Sequence, residues 1–367
     1  MGARSRVRAA VLAVSTALIL SGCATTPKGA GADPSLAFFP RPPDLPRLQF
    51  LMAITSDADI PGSRRGFVGR LTGSSPLRSL LRPHGVAVRD GIIYVADAGL
   101  ATVVKIDLVA KTFEQAVDPS TSPLAGPLGL TVSEDGVIYV ADGVLRHVKA
   151  FSAEDGRFLR AFGEPEEIRP TDVAVVGDRL FVTDAQDHEI EVFDRQTGER
   201  LARMGRESEE PLLLMYPAFI DAGADGLLYV TDSMNFRVVK LSQDGEILGS
   251  FGKAGDWTGS FARPKGVAVD GDGRVHVLDA GFENAQIFLE GGEAATAYGG
   301  FGNFPGHMYL PFEVTLDTSL LGYFRERIDP RLAPDYLVFV TNQAGPHKLN
   351  IYAFGEPVEQ GVNVPGG

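Results

Sequence analysis

The chain has 367 residues, 44% of them hydrophobic and 22% charged, with a formal net charge of -13 at pH 7 and a single cysteine. So acidic a balance excludes a general nucleic-acid binder. One cysteine excludes an internal disulfide and a cysteine-rich metal centre.

Residues 1–22 read as a lipoprotein signal peptide. Arg4, Arg6 and Arg8 form a basic start, and Ala9 to Leu20 is an apolar run of 12 residues, too short to span a bilayer. It ends in Leu20-Ser21-Gly22-Cys23, which resembles a bacterial lipobox and makes Cys23 the expected lipidation site. Cleavage there removes three arginines and takes the net charge to -16. Ala24 rather than Asp follows the cysteine, which by the lipoprotein sorting rule favours the outer membrane, facing the periplasm. No later segment approaches 18 consecutive apolar residues, so the expected membrane contact is the lipid alone. Residues 23–47, with Pro40-Arg41-Pro42-Pro43, read as a semi-extended tether.

From residue 48 to 355 one pattern repeats: a Pro, a short apolar strand, a turn with Asp and Gly, and a second strand ending in Asp. The prolines are Pro83, Pro127, Pro170, Pro217, Pro264 and Pro311, separated by 44, 43, 47, 47 and 47 residues. Second strands end at Asp97, Asp142, Asp184, Asp232, Asp279 and Asn342. Third and fourth strands follow, such as Val238-Val239-Lys240-Leu241 and Ile247-Leu248-Gly249-Ser250-Phe251. Four short strands per period make one propeller blade, which buries its two faces by stacking between neighbours. The fold class is therefore all-β: a six-bladed β-propeller of four-stranded antiparallel blades. The last repeat supplies three strands, and Leu48 to Ile54 is a stray strand before the first repeat. Pairing the two closes the ring and removes an exposed sheet edge. Residues 356–367 read as a flexible tail.

The segment Phe251-Gly252-x-x-Gly255-x-x-x-Gly259-x-Phe261-x-x-Pro264-x-Gly266-Val267-Ala268-Val269-Asp270 resembles the NHL repeat, as does Asp232-x-x-Asn235-x-Arg237-Val238. The resemblance implies the propeller, not one activity, because this fold carries binding modules and enzymes alike.

Loops joining a fourth strand to the next first strand share one face with the second-to-third loops; we call this face the top. The bottom turns, such as Asp225-Gly226 and Asp270-Gly271-Asp272-Gly273, follow hairpin chemistry and lack the ordered ligand series of a calcium loop. The Asp at the end of each second strand is expected to cap loop amides. The long top loops, 206–216, 253–263 and 301–310, carry the candidate binding surface: Tyr216, Trp257, Phe261, Phe304, Met308 and Tyr309, with Glu207, Glu209 and Glu210 at the rim.

Three histidines, His84, His307 and His347, fall in blades one and six and form a candidate divalent-metal set at the channel mouth. The NHL-related amidating lyases use a metal in their channel, so the resemblance lends this set a precedent. Blade six also holds an insertion: Pro to strand end takes 31 residues there against 14 or 15 elsewhere. It carries Tyr323, Phe324, Arg325, Arg327 and Arg331, a basic aromatic patch for an acidic partner or a plug for the bottom of the channel.

The function expected is a lipid-anchored scaffold of the cell envelope that docks an extracytoplasmic protein through its top loops, with no nucleic-acid partner and no cofactor. The alternative is a metal-assisted lyase or hydrolase with a His-lined site at the channel mouth.

Overall fold

The computed structural model describes residues 37–62, 78–205, 214–302 and 304–358. The signal peptide, Cys23, the acidic rim Glu207, Glu209 and Glu210, and the tail beyond residue 358 lie outside the described residues.

Two strands precede the first repeat, Phe38–Phe39 (β1) and Leu48–Ile54 (β2). Blade one is Pro83–Arg89 (β3), Ile92–Asp97 (β4), Thr102–Asp107 (β5) and Thr112–Gln115 (β6). Blade two is Pro127–Val132 (β7), Val137–Asp142 (β8), His147–Ser152 (β9) and Phe158–Phe162 (β10). Blade three is Pro170–Val176 (β11), Arg179–Asp184 (β12), Glu189–Asp194 (β13) and Arg200–Met204 (β14). Blade four is Pro217–Ala222 (β15), Leu228–Asp232 (β16), Arg237–Leu241 (β17) and Ile247–Phe251 (β18). Blade five is Pro264–Val269 (β19), Val275–Asp279 (β20), Asn284–Phe288 (β21) and Ala294–Gly299 (β22). Blade six adds Pro311–Asp317 (β23), Leu332–Asn342 (β24) and Leu349–Pro357 (β25).

Each repeat proline begins a first strand, where its missing N–H costs no ladder bond. These first strands line the axis, and each touches the next around the ring, β23 closing onto β3. Alternation in each strand buries side chains on both faces, and the apolar core falls into six clusters, one at each junction between neighbouring blades.

The ring closes as the stray strand implied: β2 pairs antiparallel with β25, Leu48 opposite Phe354 and Ile54 opposite Leu349. Blade six then gains a fifth strand, in the order β1-β2-β25-β24-β23. This moves the expected tether boundary. Phe38 and Phe39 are buried, Phe39 packs edge-on against Tyr352, and Arg47 N–H donates to Phe39 O at 2.9 Å. Two adjacent phenylalanines supply enough apolar area to hold this stretch on the sheet. At the other end, β25 runs to Pro357, and Val358 N–H donates to Arg331 O at 2.8 Å, so the order continues past residue 355.

The blade-six insertion is not a channel plug. It makes one short helix, Leu321–Phe324 (α1), whose Phe324 is fully buried in the core between blades six and one with Leu320 and Leu332. Gly91 N–H donates to Ser319 Oγ at 2.9 Å, and Gln49 bonds both Arg327 O and Asp329 N–H. The segment therefore fastens the closing seam from outside. Tyr323 is half-buried against the same core. Arg331 pairs with Asp329 in two hydrogen bonds and stacks over Phe38, and Arg327 lies over Phe324. Arg325, Arg327 and Arg331 are all exposed, so the patch stays at the surface, with Arg331 held by Asp329 and Arg327 resting on Phe324.

Candidate functional site

The top face is organised by the aspartates that end the second strands. Asp97 accepts four backbone N–H groups, from Leu81 and Arg82 before its blade and from Gly99 and Leu100 after it, at 2.7–3.1 Å. Asp142 does the same with Ala125, Gly126, Val144 and Leu145. Each such carboxylate ties two top loops together, which is the capping role the repeat implied.

Of the fifteen large apolar side chains exposed among the described residues, eight stand in top loops: Leu81, Val144, Met215, Met234, Trp257, Phe301, Phe304 and Leu310. Two, Val109 and Leu289, stand in bottom turns. The asymmetry marks the top as the face with unfilled contact capacity. Between blades four and five it forms a groove of about 570 Å³, lined by Met215, Tyr216, Met234, Phe236, Arg263 and Lys265. Met215 is 49% exposed and Met234 57%.

The candidate surface residues divide. Trp257 is 56% exposed, with the Lys253 ammonium 5.4 Å from its ring centre. Phe304 is exposed, under the Arg41 guanidinium and edge-on to His307. Tyr216 lines the groove and is half-buried, its N–H donating to His188 Nδ1 at 3.1 Å. Tyr309 is half-buried, its N–H held by Asn342 Oδ1. Phe261 and Met308 are corrections: both are fully buried. Phe261 fills the core between blades four and five beside Phe288, and Met308 the core between blades five and six. Each is followed closely by a repeat proline, so its loop must dive back to the axis and takes the side chain inward.

The three histidines are not brought together as one ligand set. His84 sits at the channel mouth, its Nδ1 3.1 Å from Arg82 O and its ring edge-on to Phe312 at 4.4 Å. Burial pulls its pKa down to about 4. His307 is buried, with the Arg41 guanidinium donating to its Nε2 at 3.1 Å. A cationic group seated on that nitrogen opposes metal binding there. His347 stands beside Tyr309.

The channel holds a different set, which the sequence reading passed over. Its cavity of about 200 Å³ is lined by Asp172, Asp221 and Glu313 among small apolar groups. Asp172 Oδ2 accepts the Ile220 N–H at 2.9 Å, and Asp221 Oδ2 accepts the Val269 N–H at 2.8 Å, each reaching the first strand of the next blade. Glu313 Oε1 accepts its neighbour Val314 N–H at 3.3 Å, and its Oε2 is buried without a hydrogen-bond partner. Burial raises Asp172 to about 8 and Asp221 to about 6, and it lifts Glu313 well above the usual carboxylate range. Above them Phe219, Phe312 and Lys265 converge from three blades: the two rings lie 4.9 Å apart, and Lys265 Nζ stands over both at 5.5 and 5.1 Å. Burial brings the Lys265 ammonium down to about 8.

A signal for Asp172 and Glu313 was present two residues after each repeat proline. That column reads Gly85, Gly129, Asp172, Phe219, Gly266 and Glu313. Glycine there lets adjacent first strands touch: a Cβ on Gly85 would stand 2.5 Å from Leu128 O, and one on Gly129 1.9 Å from Asp172 Oδ1. Asp172 fills the space that Gly129 leaves.

No family model matches the chain. NHL repeat-containing protein 3 of Mus musculus is 31% identical over 175 residues, covering 42% of this chain and 49% of that protein. NHL repeat-containing protein 2 of Gallus gallus is 25% identical over 293 residues, 60% of this chain and 40% of that one. The chain thus spans half or less of the length of these curated relatives. Among solved structures, a gluconolactonase of Xanthomonas campestris superposes with a TM-score of 0.56 at 17% identity, over 83% of this chain and 98% of that one, a likeness of fold. Repeat, closure and relatives agree: the chain is a six-bladed β-propeller built from NHL-type repeats.

Proposed function

We propose that the protein is a non-catalytic docking module that seats an apolar, carboxylate-bearing segment of a partner protein in the groove between blades four and five. The observation that carries this reading is the groove itself, with two exposed methionines on its wall and Arg263 and Lys265 at its inner end. Methionine adapts its shape to varied apolar surfaces. Two cations beside that apolar wall, on a chain of net charge -13, favour a carboxylate on the incoming segment. The reading carries with it a lipid anchor at Cys23 and a place in the cell envelope, where the partner would be an extracytoplasmic protein.

The test is selection of peptides with free C-termini on the immobilised full chain, followed by affinity measurement. Selected peptides should carry an aliphatic or aromatic side chain next to a carboxylate. Met234→Asp should then weaken them at least tenfold, about 1.4 kcal/mol, with the thermal midpoint unchanged. Selected peptides whose affinity is indifferent to Met234→Asp would place the binding elsewhere and overturn the reading.

A further inference from the structure

Blade three breaks the capping pattern. In blades one, two and five, Oδ2 of the second-strand aspartate accepts a backbone N–H at 2.7 Å, from Leu81, Ala125 and Ala262 respectively. The matching N–H in blade three, that of Ile168, donates instead to Glu164 O. Asp184 therefore keeps the bond from Arg169 N–H to Oδ1, while its Oδ2 has no hydrogen-bond partner and the residue is fully buried.

The neighbouring third strand departs at the same height. Its first and third positions are Thr102 and Val104 in blade one, His147 and Lys149 in blade two, Arg237 and Val239 in blade four, and Asn284 and Gln286 in blade five. In blade three both are glutamates, Glu189 and Glu191, two apart and so on one face of β13. Glu189 lies directly across from Asp184. All three residues are fully buried, and carboxylate oxygens, one from each, lie within 4.8 Å of one another. Two arginines of β14 border them. Arg200 Nε is 2.6 Å from Glu191, and its Nη1 is 2.7 Å from Glu167. Arg203 Nε is 3.3 Å from Glu191 and 3.5 Å from Glu189, and its side chain is 38% exposed.

We propose that Asp184, Glu189 and Glu191 form a divalent-cation site that takes calcium, and that Arg203 is the counterion a bound calcium displaces. Three facts converge: an oxygen-only donor set, a buried carboxylate oxygen left without a partner, and a guanidinium placed where it can leave for solvent. Hard carboxylate donors select calcium or magnesium over the softer transition metals. Oxygens all within 4.8 Å of one another can share one cation at a calcium–oxygen distance of about 2.4 Å. Calcium tolerates irregular carboxylate sets, whereas magnesium demands near-ideal octahedral geometry and gives up its water reluctantly, so a buried set of three carboxylates suits calcium better. A cation bound to the folded chain alone would also stabilise it.

The test uses the full chain, stripped with chelator and titrated calorimetrically with calcium chloride and, separately, magnesium chloride. One calcium per chain is expected, magnesium binding more weakly. Glu191→Gln should abolish it. Arg203→Gln should tighten it at least threefold by removing the competing cation, a gain that a purely structural ion network would not produce. Absence of calcium binding in both wild type and Arg203→Gln overturns the proposal, as does binding that neither substitution changes. Should Glu191→Gln fail to fold, the Arg203→Gln comparison decides alone: tighter binding supports the site, unchanged or weaker binding refutes it.

Discussion

Replacing His276 by glutamine should make the protein less sensitive to acid, by about 2 kcal/mol between pH 7.5 and pH 5. His276 is fully buried on β20, with Nδ1 3.0 Å from Tyr298 Oη and Nε2 2.9 Å from Tyr336 Oη. Tyr336 spends its own proton on Asp270 Oδ2 at 2.9 Å, so it accepts from Nε2–H, and Nδ1 accepts from the Tyr298 hydroxyl. The neutral imidazole completes this chain of bonds, and an added proton would find no acceptor. Burial accordingly lowers its pKa from 6.5 to about 3. Above pH 6.5 the ring is neutral in the folded and unfolded states alike, and no penalty arises. As the pH falls below 6.5 the unfolded chain takes up a proton that the folded one refuses, at a cost of about 1.4 kcal/mol per pH unit. That loss reaches about 2 kcal/mol by pH 5 and continues towards pH 3. At pH 7.5 the variant itself should be less stable by about 1–2 kcal/mol for imperfect hydrogen bonds, so the two stabilities should converge near pH 5. Urea unfolding followed by far-ultraviolet circular dichroism at half-unit steps would measure this. Parallel curves for wild type and variant across that range would refute the assigned protonation state.

Phe324→Ala should cost about 3–5 kcal/mol in urea unfolding, because the ring fills the closing seam; a cost under about 1 kcal/mol would mean that the insertion is peripheral. Gly129→Ala should cost about 2–3 kcal/mol, since its Cβ would expel the Asp172 carboxyl, whose Oδ1 accepts the Val173 N–H at 2.8 Å and whose Oδ2 accepts that of Ile220, and adding Asp172→Ser should restore part of that loss. Glu313→Gln should gain stability relative to wild type as pH rises from 5 to 8. The buried carboxyl keeps its proton in the folded chain, while the unfolded glutamate ionises freely above about pH 4.5. Equal gaps between the two proteins at both pH values would argue against a protonated Glu313.

The spacing of six prolines, the turn chemistry between them and one surplus strand before the first repeat were enough to set blade number, strand order and ring closure. Those features are local or periodic, and each repeat must stack on its neighbours to bury its faces, so the period alone specifies the architecture. Phe261 shows where local reading stops: it sits in a long loop, and only the neighbouring blade reveals that it is core. Phe324 and its helix were visible as an insertion, but their destination depended on which apolar surface lay open beside the closing seam. His84, His307 and His347 were near one another by blade number and separate by surroundings, because Arg41, from a segment expected to be free, occupies His307. Asp172, Asp221 and Glu313 stood in plain view as residues of inner strands. What sets their protonation is a narrow channel that withholds water from carboxyl groups drawn from three blades. The groove of Met215, Met234, Arg263 and Lys265 likewise belongs to two blades and to no single repeat. Repetition in a chain reports what every blade does alike. Chemistry at the axis and on the top face comes from unlike residues of different blades meeting across a ring, and their distances exist only once that ring has closed.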